Sequence, residues 1–137
     1  MAPAIGASVE QHLTLDATAI RAGASLIGDS NPLHHDAEFA ATSRFGELIA
    51  SGAHTAGLLA GMPSKGFDTD PGFYVGVDYN ARFLAPVRVD RPLRLHWTVT
   101  AHEPKRSGTL VRMEGGITDL SDGVTVLAAT MSILFLR

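Results

Sequence analysis

The sequence contains no cysteine, which excludes disulfides, thiolate catalysis and cysteine-held zinc or iron–sulfur centres at once. It also suits a reducing compartment. No block of Lys or Arg occurs, and a formal charge of −3 lacks the footprint of a chain that grips nucleic acid or an anionic membrane. No segment approaches the roughly 18 apolar residues that a membrane helix requires. Residues Met1 to Ser8 show no basic stretch leading into an apolar run. The expectation is a cytoplasmic protein with neither a nucleic-acid nor a membrane partner. What is present is enough to fold: 137 residues, 45% apolar and 18% charged, with no repeat or linker, are expected to form one domain over residues 1–137.

The pattern changes near residue 70. Before it the chain reads as helical. Asp16 is placed to cap a helix through about Ile27, with Ile20 and Leu26 among its apolar positions, and Asp36 to cap a short one containing Phe39 and Phe45. A third helix starts after Ser51 and runs through His54, Leu58 and Leu59 toward Met62, where Pro63 stops it. It is apolar or small nearly all round, so it is expected to be enclosed by other structure.

After residue 70 the period is two. Phe73, Val75, Val77, Tyr79, Ala81 and Phe83 alternate with Tyr74, Asp78, Asn80 and Arg82. Leu93, Leu95, Trp97 and Val99 alternate with Arg94, His96, Thr98 and Thr100, so that His96 is expected on an exposed face. Leu110–Ile117 and Val124–Phe135 follow around a turn at Asp119–Gly123, the last run apolar enough to be central in its sheet. With a first strand around His12–Leu15, this gives about five strands, antiparallel because their connections are short. The fold class is α+β, an antiparallel sheet wrapped around a central apolar helix.

The densest polar cluster of the first half is Gly28-Asp29-Ser30-Asn31-Pro32-Leu33-His34-His35-Asp36, a loop between two helices in which Pro32 fixes φ. A carboxylate and an imidazole held together can orient a water, take a proton from it and return one near pH 7. Adding water to a conjugated thioester needs these steps, and also a donor for the charge that develops on the thioester oxygen. The unsatisfied N–H groups at the start of the apolar helix, around Gly52, are candidates for that donor.

Gly28-Asp29-x-Asn31-Pro32-Leu33-His34-x-Asp36 resembles the motif of the MaoC-like, (R)-specific enoyl-CoA hydratases and dehydratases. The resemblance continues through Phe39-Ala40-Ala41, Arg44-Phe45 and Ile49-Ala50-x-Gly52, with an echo at Arg82-Phe83-Leu84-Ala85-Pro86-Val87. It implies a hotdog fold, a homodimer or higher homo-oligomer, and reversible hydration of a trans-2-enoyl thioester to the (3R)-hydroxyacyl form. Asp29 and His34 match the catalytic pair, Gly52 the oxyanion amide, and Asn31 a residue that shapes the loop. The implied substrate is an acyl-CoA or an acyl-carrier protein, with no metal and no cofactor beyond the CoA thioester as substrate. The chain departs from the family at Ser51, where histidine is common, at His54, at Ala60, where some members carry a serine, and at Asp90-Arg91, where Gly-Asp is common. These positions bear on substrate choice and rate.

His35 neighbours His34 and reads as solvated or structural. His34, His35, Asp36 and His54 lack any regular ligand spacing, so metal binding is not expected. His54 reads either as a hydrogen-bonded core histidine or as a residue tuning the pocket. The stripes through Trp97, Met131 and Phe135 read as core, and Arg82, Arg88, Arg91, Lys105 and Arg106 as ordinary surface cations. Two other functions fit the same fold: a thioesterase, which also needs a carboxylate, a water and an oxyanion donor, and a non-catalytic acyl-thioester-binding subunit.

Overall fold

The alternation of the second half becomes a sheet in the computed structural model, which describes residues 2–67 and 73–137. Among the described residues the strands are β1 (Ser8–Thr14), β2 (Tyr74–Phe83), β3 (Pro92–Lys105), β4 (Gly108–Asp119) and β5 (Val124–Leu136). They form one sheet in the order β1-β3-β4-β5-β2, with every neighbouring pair antiparallel. The helices are α1 (Ala17–Leu26), α2 (Ala37–Thr42), α3 (Gly52–Gly61) and α4 (Pro63–Gly66). None of the described helices is long and apolar enough to cross a membrane.

Leu93, Leu95, Trp97 and Val99 are all buried and point to one core, joined there by Met131 and Phe135. Two aromatic side chains fasten α3 to this core. Trp97, fully buried, donates its indole N–H to the Leu59 carbonyl at 2.8 Å. The Tyr79 hydroxyl donates to the Ala56 carbonyl at 2.9 Å. The two rings meet edge to face, with centroids 6.0 Å apart. Burial pushes the Tyr79 hydroxyl up to about 12, so it stays a donor.

Asp16 and Asp36 cap α1 and α2 through the N–H groups of Ala19 and Phe39, as their positions predict. Several other expectations are corrected. Leu26 is 87% exposed, so Ile20 rather than Leu26 anchors α1. Phe45 lies beyond the end of α2. The first strand begins earlier than expected, at Ser8; as an edge strand it buries only Val9, which leaves no alternating signal to read. In β2 a bulge between Gly76 and Asp78 adds one residue and reverses the parity. Tyr74 therefore joins Tyr79 and Ala81 against the core, while Phe73, Val75 and Val77 are exposed.

The centre of the sheet is β4, with β5 one place off it. Pro63 ends α3 but also opens the short α4, because proline at a first helical position sacrifices no hydrogen bond. Helix α3 is covered on one side within the chain, where Thr55 and Leu59 are buried; Ala53, Gly57 and Gly61 line its exposed side. His96 is half-buried rather than exposed.

Candidate active site

The end of α1 fixes where Asp29 stands. Gly28 takes the left-handed conformation, φ +73°, which a side chain would resist. Its N–H donates to the Ser25 carbonyl at 3.1 Å, and the Asp29 N–H to the Ala24 carbonyl at 2.8 Å. This pair of bonds closes a helix at a glycine and sends the next residue off in a set direction. Asp29 Oδ1 then accepts the Asn31 N–H at 3.2 Å. Asn31 Oδ1 accepts the Leu33 N–H at 3.0 Å and caps a single 3₁₀ turn, Pro32–His34. Asn31, expected beside Gly52 among the oxyanion and substrate-binding residues, does not line the cavity that the loop borders; its side chain is spent on the turn.

That turn delivers His34 inward, where it is 6% exposed. Its Nδ1 lies 2.7 Å from the Ile49 carbonyl. A carbonyl only accepts, so Nδ1 carries the proton, and Nε2 of the neutral ring presents a lone pair. The Ile49 carbonyl is held in turn: the Ile49 N–H donates to Leu33 and the Ala50 N–H to Val87, at 3.2 and 2.8 Å. His34 Nε2 stands 3.3 Å from Asp29 Oδ2. The same Oδ2 accepts the hydroxyl of Ser51 at 2.7 Å. The Ser51 hydroxyl, followed by the Asn31 N–H, holds the Asp29 carboxyl below its ordinary value.

Gly52 opens α3. A Cβ at this position would stand 2.8 Å from the Phe83 ring, so the glycine lets that ring lie against the helix end. No side chain caps the first turn, and Thr55 is the first residue whose N–H finds a helical partner, the Ser51 carbonyl. Among the described residues the N–H groups of Gly52 and Ala53 thus find no partner, and they stand beside a cavity of about 530 Å³. Asp29, His34 and Gly52 border this cavity together with apolar side chains that include Phe83, Val126 and Leu127. The lining therefore combines a carboxylate, a lone pair and helix N–H groups with apolar surface that suits a hydrocarbon chain.

The remaining histidines lie elsewhere. His35 Nε2 bonds the Asp29 carbonyl at 2.6 Å and braces the loop, the second of the two readings, solvated or structural, that the sequence left open. His54 neither lines the cavity nor finds a hydrogen bond: its ring packs on Gly23 of α1, and its buried Nδ1 has no partner among the described residues. Among the described residues no three His, Asp or Glu side chains come together as metal ligands would. Ser51 is the site residue that sequence reasoning missed. A serine before a helix reads as a cap, and its actual partner lies 22 residues upstream.

Residues 1–119 match the family described as MaoC like domain. A 3-hydroxybutyryl-CoA dehydratase of Methylorubrum extorquens is 34% identical over 83 residues, covering 61% of this chain and 52% of that protein. The match thus spans about half the length of this curated relative. The unliganded R-hydratase PhaJ1 from Pseudomonas aeruginosa superposes with a TM-score of 0.86 at 24% identity, over 98% of this chain and 83% of that one. A MaoC-like dehydratase from Rhodospirillum rubrum gives 0.81 at 27% identity, over 98% and 94%. The sheet with its overlying helix is therefore the hotdog fold of these proteins. The fold agrees with what the motif between residues 28 and 52 implies, and with the match over residues 1–119 this chain belongs to the MaoC-like domain family.

Proposed function

We propose that residues 1–137 form a single-domain hydro-lyase that adds water reversibly to a trans-2-enoyl thioester, giving the (3R)-hydroxyacyl product, with CoA or an acyl-carrier protein as the handle and no metal or further cofactor. The observation that carries this reading is the 3.3 Å separation of His34 Nε2 and Asp29 Oδ2 at the rim of an apolar cavity bordered by the free amides of α3. A water on the cavity side of these two atoms, within hydrogen-bond reach of both, would be oriented by the carboxylate, with one of its protons aimed at the imidazole lone pair. As its oxygen bonds to C3 of the substrate, His34 Nε2 takes that proton and the electron pair of the double bond moves onto the thioester oxygen. The Gly52 N–H meets that oxygen. The imidazolium, stabilised by ionised Asp29, then returns the proton to C2, so H and OH have been added and the enzyme is unchanged.

The proposed unit is a cytoplasmic homodimer. Strand β2 is an edge of the sheet, and Val75, Val77 and Phe83 on it are exposed; an apolar edge of this kind pairs readily with a second copy. The test is incubation with a panel of trans-2-enoyl-CoA esters, following loss of the conjugated-thioester absorbance, with chiral analysis of the product and a thiol-reactive dye. Turnover without thiol release, giving the (3R) product and lowered roughly a hundredfold or more in Asp29→Asn, is the expected result. Thiol release would make the protein a thioesterase. Binding without turnover would leave an acyl-thioester-binding subunit.

A further inference from the structure

We propose that Ser51 is a positioning residue for the Asp29–His34 pair: its hydroxyl fixes the carboxylate with Oδ2 toward His34, and because that hydroxyl is committed there, the first turn of α3 stays uncapped for the substrate oxygen. The inference deepens the hydratase reading and rests on it.

Ser51 stands at the N-cap of α3 with extended backbone angles, φ −61° and ψ 132°. A serine there ordinarily turns its oxygen back to accept an N–H of the first turn. This one makes no such bond. It is 1% exposed, and its Oγ lies 2.7 Å from Asp29 Oδ2. The ionised carboxylate can only accept, so the hydroxyl proton points at Asp29.

Two consequences follow from that single orientation. Asp29 is held at both oxygens, by the Asn31 N–H on Oδ1 and by Ser51 on Oδ2, so it cannot swing away from His34 when the imidazole changes charge. Both bonds also favour the ionised form, and the Ser51 hydroxyl contributes most to lowering the carboxyl. At the other end, the N–H groups of Gly52 and Ala53 are not consumed by a cap.

Ser51 borders the cavity, but its hydroxyl is committed to Asp29 and acts through it.

The experiment compares wild type with Ser51→Ala, Ser51→Cys and Ser51→Thr. Cysteine keeps the volume but donates weakly, whereas threonine keeps the hydroxyl. The kcat and KM for trans-2-butenoyl-CoA are measured against pH, and the Asp29 carboxyl is titrated by carbon-13 NMR, assigned with Asp29→Asn. Expected are a kcat lower by roughly tenfold to a hundredfold in Ser51→Ala and Ser51→Cys with KM little changed, an acid limb of the kcat profile displaced to higher pH, and an Asp29 carboxyl that titrates higher. Ser51→Thr should restore most of each.

A cysteine variant that behaves as wild type, or an acid limb and carboxyl titration unmoved in Ser51→Ala, would reduce Ser51 to a space-filling residue and overturn the proposal. If wild type turns over no enoyl thioester, the hydratase reading falls. The carboxyl titration then decides by itself whether Ser51 holds Asp29.

Discussion

The two ends of helix α3 are built on opposite rules. Toward its C-terminal end two backbone carbonyls receive extra donors, Ala56 from Tyr79 and Leu59 from Trp97, and both Leu59 and Trp97 are fully buried. At its N-terminal end the first N–H groups find no partner among the described residues, the serine that could cap them bonds a carboxylate instead, and the surroundings are an open cavity. An uncapped helix end costs stability, and it can be aimed at a substrate only if the rest of the helix does not move. The anchored end is what keeps the open one in place.

The sharpest way to break this comparison is to cut each end separately. His34→Ala should lower turnover roughly a hundredfold or more while the melting temperature stays near that of wild type, since the site it opens already borders a cavity. Trp97→Ala should do the reverse. It empties a fully buried site and removes the bond to Leu59, for a loss of about 3–5 kcal/mol in chemical unfolding. Denaturant titration and initial-rate assays of both variants would settle the division. If His34→Ala were as unstable as Trp97→Ala, the open end would be carrying part of the fold.

Sequence reasoning saw these two ends unequally. The open end was largely legible, because Gly28, Asn31 and Pro32 act on their immediate neighbours: a left-handed glycine, a capping side chain and a fixed φ each shape the chain within two or three residues. Ser51 was not legible, since its partner is distant in sequence. At the anchored end, Trp97 could be assigned to the core from its alternation, but its hydrogen bond to Leu59 spans 38 residues. The faces of β2 were misread because a single bulge inverts a period of two, and the one mark it left in the sequence, Gly76 inside the strand, was not read as such. Helix α3 seemed enclosed because Ala53, Gly57 and Gly61 count as nonpolar; they are also so small that one exposed side of the helix presents little apolar area.

A milder cut sharpens the anchored end. Tyr79→Phe keeps the ring against Trp97 and removes only the hydroxyl that reaches Ala56. The Ala56 carbonyl lies within α3, where helical bonding already satisfies it, so the loss should be about 1 kcal/mol. The informative measurement is KM alongside stability. A rise in KM at unchanged kcat would mean that loosening the middle of α3 is felt at its first turn, whereas no kinetic change would assign all of the positioning to Trp97.

The smallest effect concerns His54, one turn into the open end yet turned away from it. Its ring lies against Gly23, where even a Cβ would come within 2.1 Å, and its buried Nδ1 has no partner among the described residues. Burial holds this imidazole below its ordinary value of 6.5. Between the lowered value and 6.5 the unfolded chain binds more protons than the folded one, so stability falls as pH drops through that window and levels off below it. His96 adds to the same window, lowered first by burial and then by Arg94. Asp29, Glu10 and Glu103 are lowered carboxyls, whose contributions are lost only at more acid pH. Melting temperatures followed from about pH 7 to pH 5 should therefore slope downward in wild type, less so in His54→Leu or His96→Gln, and least in the double variant. A slope unchanged by His54→Leu would mean that His54 escapes its contact with Gly23 once protonated, and that α1 and α3 separate more easily than the anchored end of α3 implies.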